Sequence, residues 1–66
     1  MEFRVWSQRV ERGDVVIDRG RGREVKAVRQ NGRGEIVLVF KDGAHQRVAA
    51  TAALVVDRDD RRSHAR

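Results

Sequence analysis

Basic side chains are the residues of this sequence whose type and spacing point to a chemistry. The chain of 66 residues has 15 Lys and Arg against 10 Asp and Glu, a net charge of +5, and 13 of the cations are Arg. The segment from Arg19 to Arg33 holds six cations and one acid, so its net charge of +5 equals that of the whole chain. Because a guanidinium binds phosphate bidentately, such a localised basic segment predicts a polyanionic partner.

The expected partner is a DNA or RNA backbone, contacted with little sequence preference. The residues predicted to contact phosphates are the six cations of the segment: Arg19, Arg21, Arg23, Lys26, Arg29 and Arg33. The segment contains no aromatic residue, which argues against tight binding of a single strand. Gly20-Arg21-Gly22 is either a loop that cradles a phosphate or a β-turn with solvated Arg side chains. The codon usage of a GC-rich genome is an alternative source of the Arg excess.

Residues suited to catalysis are scarce. The sequence has no Cys, only three hydroxyl side chains (Ser7, Thr51 and Ser63), and two His, His45 and His64, that are 19 residues apart. An activated nucleophile needs an adjacent base, and a metal site needs closely spaced ligands. The sequence therefore predicts a protein that is not an enzyme and uses no cofactor or metal, with His45 as an ordinary strand-edge residue.

Trp6 is the residue that favours a second class of function, a protein-docking module. The chain has only three aromatic residues, too few for a cage around a methylated side chain. Trp6 either packs an N-terminal segment or is an exposed anchor, since Trp is enriched at the energetic centres of interfaces. Such a module binds its partner by strand addition or through a loop face.

The elements that would position these residues are short strands between glycine turns. Sixty-six residues make one domain. Asn31-Gly32 and Asp42-Gly43 are hairpin signals, and residues 36–40 form an apolar strand with branched or aromatic side chains on both faces. The pattern predicts an all-β fold of five antiparallel strands, with a bend or bulge in the strand 23–30 and one helical turn at 51–54 before the last strand. The predicted core is Val16, Val25, Ile36, Leu38, Phe40, Val48 and Leu54.

The predicted domain organisation is an extended lead-in (1–10), an SH3-like barrel (11–56) and a charged, disordered tail (57–66). The tail has one apolar residue, Ala65, so removing residues 58–66 is expected to leave the fold intact. The sequence shows neither a signal segment nor an apolar run long enough to cross a membrane, which predicts a cytoplasmic protein. A monomer or weak oligomer is expected.

The order of these motifs resembles a known family. Gly13-Asp14, a Val pair, Gly20-Arg21-Gly22, Val25, the run from Ile36 to Phe40, Asp42-Gly43, Val48 and Ala53-Leu54 follow one another as in the Tudor-like C-terminal domain of UvrD/PcrA-type repair helicases. The sequence is more loosely similar to KOW-type barrels of transcription and ribosomal proteins. The resemblance implies a five-stranded SH3-like (Tudor-like) barrel in transcription or DNA repair that docks on RNA polymerase or a repair protein, on nucleic acid, or on both.

Overall fold

The computed structural model describes residues 1–58, and all of its regular structure apart from one short 3-10 turn is β. This confirms the all-β prediction. The strands are β1 (Glu2–Trp6), β2 (Val15–Asp18), β3 (Arg21–Gln30), β4 (Glu35–Phe40), β5 (His45–Ala49) and β6 (Ala53–Asp57). The described residues include no helix that could cross a membrane.

The strands form one antiparallel six-stranded sheet in the order β1-β6-β2-β3-β4-β5. The sheet is not closed into a barrel, because β1 and β5 are its two edges. The prediction of five strands was wrong because the lead-in contains a strand of its own. Phe3 and Val5 alternate with charged residues and pair with Val56 and Leu54 of β6, where they pack partly buried against the core.

The single helical turn is also not where the sequence placed it. The 3-10 turn is Ser7–Arg9, whereas Ala53 and Leu54 belong to β6. Leu54 is drawn into the sheet by its pairing with Val5. Ser7 ties the end of β1 to the turn before β6, because its N–H donates to the Ala52 carbonyl at 2.8 Å and its hydroxyl to the Ala49 carbonyl at 2.6 Å.

The core lies between the two halves of the bent sheet. Five of the predicted residues are buried, which confirms them: Val16, Val25, Ile36, Leu38 and Phe40. Val48 and Leu54, also predicted, are only partly buried against this core, while Val10 and Val56 are buried and were not predicted. Val16 is the inward residue of β2, and its neighbours Val15 and Ile17 point to the outer side of the sheet.

A β-bulge in β3 confirms the predicted irregularity of this strand. Val25 pairs with Phe40, but Ala27 pairs with Val39, so Lys26 is an extra residue between two register positions. Val25 is buried, Lys26 is exposed and Ala27 shares the outer side with Val39. The bulge thus changes which residues of β3 point outward.

The end of β6 is anchored by a buried ion pair. Arg58 donates from Nε and Nη2 to the two carboxylate oxygens of Asp14 at 2.8 and 2.7 Å, and Asp14 is only 1% exposed. The side-chain hydrogen bond to Asp14 raises the pKa of Arg58, so the guanidinium stays charged. The predicted boundary of the tail was therefore wrong: Asp57 belongs to β6 and Arg58 packs over the Phe3 ring at 5.1 Å. Removing residues 58–66 is accordingly expected to destabilise the fold, because it takes away Arg58. The rest of the predicted tail, 59–66, lies outside the described residues.

Phe40→Ala is expected to unfold most of the protein. Phe40 is 1% exposed and is the largest fully buried side chain of the described chain. Its truncation costs about 3–5 kcal/mol through lost burial and the cavity that remains, close to the whole stability of a domain this small. Thermal denaturation followed by circular dichroism measures the loss. A cooperative transition within a few degrees of the wild type contradicts the assignment of Phe40 to the core.

Arg58→Met is expected to lower the free energy of unfolding by about 3 kcal/mol, because it leaves the buried Asp14 carboxylate without its bidentate donor. The matched double variant Asp14→Asn/Arg58→Met removes both charges and regains part of this loss. Urea denaturation of the wild type, both single variants and the double variant measures the coupling energy. Additive effects of the two substitutions contradict a direct stabilising pair.

Candidate nucleic-acid interface

The six predicted phosphate contacts lie at both ends and on both sides of β3. This ten-residue strand is at most about 30 Å long, at about 3.3 Å per residue. Arg19, Arg21 and Arg23 are at the β2–β3 hairpin, Lys26 and Arg29 are on the outer side of the sheet, and Arg33 is in the β3–β4 loop. The structure therefore does not bring the six cations together on one surface.

The hairpin between β2 and β3 turns on Arg19 and Gly20. Both have positive φ, +53° and +78°, and Arg19 is the only non-glycine residue among residues 1–58 with this backbone conformation. Asp18 pairs with Arg21 across the hairpin. These two residues, with Arg19 and Arg23, line one shallow cleft.

Arg23 is partly committed to the fold. Its guanidinium carbon lies 5.1 Å from the centroid of the Phe40 ring, and its Nη2 is 3.8 Å from a carboxylate oxygen of Asp42. Arg23 pairs with Val16 and so points to the core side of the sheet, beyond the end of the packed core. Its side chain covers Phe40 and is less available to a ligand than its neighbours in the hairpin.

A second group of cations forms what we call the basic face, made of Lys26, Arg29 and Arg47. Arg29 pairs with Val37, and Val37 pairs with Arg47, so all three share the outer side of β3, β4 and β5. With strands about 4.8 Å apart, the Cα atoms of Arg29 and Arg47 are about 10 Å apart. The half-buried Val37 and Val39 occupy the centre of this face, and His45 lies opposite Val39 at its edge.

The bulge is the reason that Lys26 and Arg29 share a side. In a regular strand, residues three apart point to opposite faces. The extra residue of the bulge reverses the alternation after Val25, so that Lys26 and Arg29 both point outward. The bend proposed from the sequence therefore acts on Arg29, but it leaves Arg23 on the other side.

Arg47 was missed by the sequence analysis because it lies outside the basic segment. The available signal was the alternation in β5, where the partly buried Gln46 and Val48 flank an exposed Arg47. Arg12 and Lys41 were missed as well, and they line one cleft together with Lys26 and Glu24. Strand pairing and turns place these three cations near the predicted ones, and no run of charge in the sequence marks them.

The carboxylates nearest the basic face are those of Glu24 and Glu35. Glu24 pairs with Lys41 at 2.8 Å, and Glu35, on the same outer side of β4 as Val37, accepts a hydrogen bond from Asn31 Nδ2 at 2.7 Å. Among residues 1–58, the three cations of the basic face lie in no ion pair, and neither do Arg19, Arg21 and Arg33. These charges are exposed to solvent and free to meet an anion.

Trp6 is exposed, as a partner anchor requires. Its residue exposure is 55%, and it pairs with Ala53 at the end of the edge strand β1. Val55 and Ile17, both half-buried, lie next to it on the outer side of the sheet. That Trp6 binds a partner stays a prediction.

The described part of the chain holds no group of three or more His, Cys, Asp or Glu placed to bind a metal ion. His45, predicted as a strand-edge residue, begins the edge strand β5. Ser7 is buried, and its hydroxyl donates a hydrogen bond to the Ala49 carbonyl.

Comparisons with protein-family models, curated proteins and solved structures found no match to this chain. The likeness to Tudor-like and KOW-type domains therefore rests on the sequence motifs alone.

Arg19→Asn is expected to stabilise the fold by about 0.5–1 kcal/mol, because Asn tolerates positive φ in a two-residue hairpin turn better than Arg. Arg21→Asn is the matched control, since it makes the same change in the adjacent extended strand, where the φ argument does not apply. Urea denaturation measures both. Equal effects of the two substitutions contradict a backbone cost specific to Arg19.

Proposed function

We propose that this protein is a small non-catalytic module that binds the phosphate backbone of nucleic acid, in a transcription or DNA-repair context. The observation that carries the proposal is the basic face: Lys26, Arg29 and Arg47 point to one side and lie in no ion pair within residues 1–58. Three cations held by β3 and β5, the two strands that flank β4, present fixed positive charges to a polyanion.

The composition of the face favours backbone contacts over base contacts. No Phe, Tyr or Trp lies on the outer side of β3, β4 and β5, and His45 lies only at its edge, so this face lacks a broad platform on which bases stack. Arg forks bond phosphate oxygens, and Val37 and Val39 offer an apolar centre between them for sugar carbons. Binding through such a face is largely independent of sequence.

The other predicted contacts extend the positive surface at the ends of β3. Arg33 lies in the loop that follows the strand, and the hairpin that precedes it carries Arg19 and Arg21. We expect Arg33 to reach a phosphate beside those bound by the basic face, and the hairpin cations to add positive charge close to the duplex. The transcription or repair context follows from the family resemblance.

The salt dependence of binding tests the proposal. The three phosphate contacts of the basic face contribute about −2.7 to the slope of log affinity against log salt on duplex DNA and about −2.1 on a single strand. Arg29→Gln/Arg47→Gln is expected to flatten the duplex slope by about 1.8. Fluorescence anisotropy with labelled oligonucleotides at several salt concentrations measures the slope.

Arg4→Gln/Arg9→Gln is the matched control, because it removes the same charge from exposed residues outside the basic face. We expect this control to change the slope by much less than the Arg29 and Arg47 variant. Equal flattening by both double variants points to net charge and contradicts a defined face. No binding even at about 50 mM salt, where phosphate contacts are strong, overturns the proposal.

The exposure of Trp6 favours a second candidate function, a protein-docking module that contacts RNA polymerase or a repair protein. Trp6, Ile17 and Val55 supply an aromatic anchor and apolar neighbours near the free edge of β1. A purified RNA polymerase or repair helicase is the probe, and a docking contact of this kind is insensitive to salt. Trp6→Ala then abolishes the interaction and leaves DNA affinity unchanged.

A further inference from the structure

The tip of the β2–β3 hairpin, residues 18–21, carries two features that a phosphate-binding loop does not need. Arg19 occupies a backbone conformation that Gly, Asn or Asp adopts at lower cost. Asp18 places a negative charge in the same cleft as three arginines. Among the described residues Asp18 is in no ion pair, although Arg21 is its direct cross-strand neighbour.

An acid among phosphate-binding cations weakens binding to phosphate by repulsion. In the major groove of DNA, however, the same pair of residue types has a use, because Arg donates to guanine O6 and N7 and Asp accepts from the cytosine amino group. Asp18 and Arg21 stand side by side as a cross-strand pair, which is the arrangement needed to meet one G·C base pair or two adjacent ones.

The shape of the hairpin fits this groove. β6 pairs with β2 only as far as Ile17, and β4 pairs with β3 only from Val25 onward, so the Asp18–Arg21 pair and its two-residue turn form the end of a two-stranded hairpin without lateral strand partners. Gly20 carries no side chain at the turn, and Gly22 carries none where a Cβ would meet Val15 Cγ1 at 2.8 Å. The B-form major groove, about 12 Å wide, admits a two-stranded ribbon, whereas the deep and narrow major groove of A-form RNA does not.

We propose that this hairpin tip enters the major groove of B-form duplex DNA and reads G·C base pairs through Asp18, Arg19 and Arg21. The inference rests on the proposed backbone binding and adds to it the class of nucleic acid and a sequence preference. The basic face supplies charge attraction, and the hairpin distinguishes one duplex from another.

Asp18→Ala separates base reading from phosphate binding by the sign of its effect. The probes are labelled duplexes of the same length, one rich in G·C and one in A·T, titrated by anisotropy at a single salt concentration. The wild type is expected to prefer the G·C duplex by about tenfold. Asp18→Ala lowers affinity for the G·C duplex and removes the preference, while affinity for the A·T duplex stays or rises. Equal gains on both duplexes mean that Asp18 only repels phosphate, and they overturn the inference.

Arg19→Asn gives a second readout that misfolding cannot imitate, because this variant is expected to be at least as stable as the wild type. If Arg19 contacts bases, the variant loses about fivefold to tenfold in affinity for the G·C duplex with the salt slope unchanged. A slope flattened by about one unit assigns Arg19 to phosphate instead and overturns the base-reading role.

An RNA duplex of the G·C sequence completes the test. Weaker binding to RNA than to DNA is expected, and equal binding overturns entry into the major groove. If only the base-reading inference fails, the wild type still binds nucleic acid with a steep salt dependence. If the proposed function itself fails, the wild type binds none of the probes.

Discussion

The Asp14 carboxylate is buried among apolar strands, and several elements of the fold supply the hydrogen-bond donors that it requires. Placing a charged carboxylate in such a site costs several kcal/mol unless hydrogen bonds and a cation satisfy it. Arg58 provides two donors, and the N–H of Glu11 provides another at 2.9 Å. The main chain of Asp14 is used as well, since its carbonyl accepts from the N–H of Val25 at 2.8 Å. One residue therefore joins the turn before β2, the middle of β3 and the end of β6.

The placement of Val25 fixes the candidate interface. The bulge begins immediately after this residue, and its position decides which side chains of β3 point outward. A bulge displaced by a few residues, beyond Arg29, would send Arg29 to the core side, away from Arg47, because a change of one residue reverses every side chain of a strand. The Asp14 carbonyl thus binds the residue at which the bulge begins, on the strand that carries Lys26 and Arg29. Bulges are over-represented beside functional sites for this kind of reason.

The sequence predicted the elements whose signals are local. Alternation places Ile36, Leu38 and Phe40 in the core, and Asn31-Gly32 and Asp42-Gly43 mark the two hairpins that flank β4. Elements that depend on distant partners could not be predicted in this way. The residues of β1 alternate charged and apolar and need β6, more than 45 residues away, to become a strand. The sequence around Arg58 is rich in charged residues, as in a solvated tail. Only the contact of Arg58 with Asp14 reveals its structural role.

The sequence predicted that the candidate site is positively charged, but not which cations share one face of the sheet. A run of cations in the sequence indicates an anionic partner, yet pairing and the bulge decide which of them face the same way, and Arg47 joins only through its register with Val37. The fold carries these charges at a cost, since unpaired like charges repel one another in a compact domain. A bound polyanion removes that repulsion in the folded state more than in the extended unfolded chain, where the same charges are farther apart. By linkage, a ligand that binds the folded chain stabilises it. On the proposed function, the cations of the basic face, which lie in no ion pair within residues 1–58, therefore destabilise the free protein and stabilise the complex.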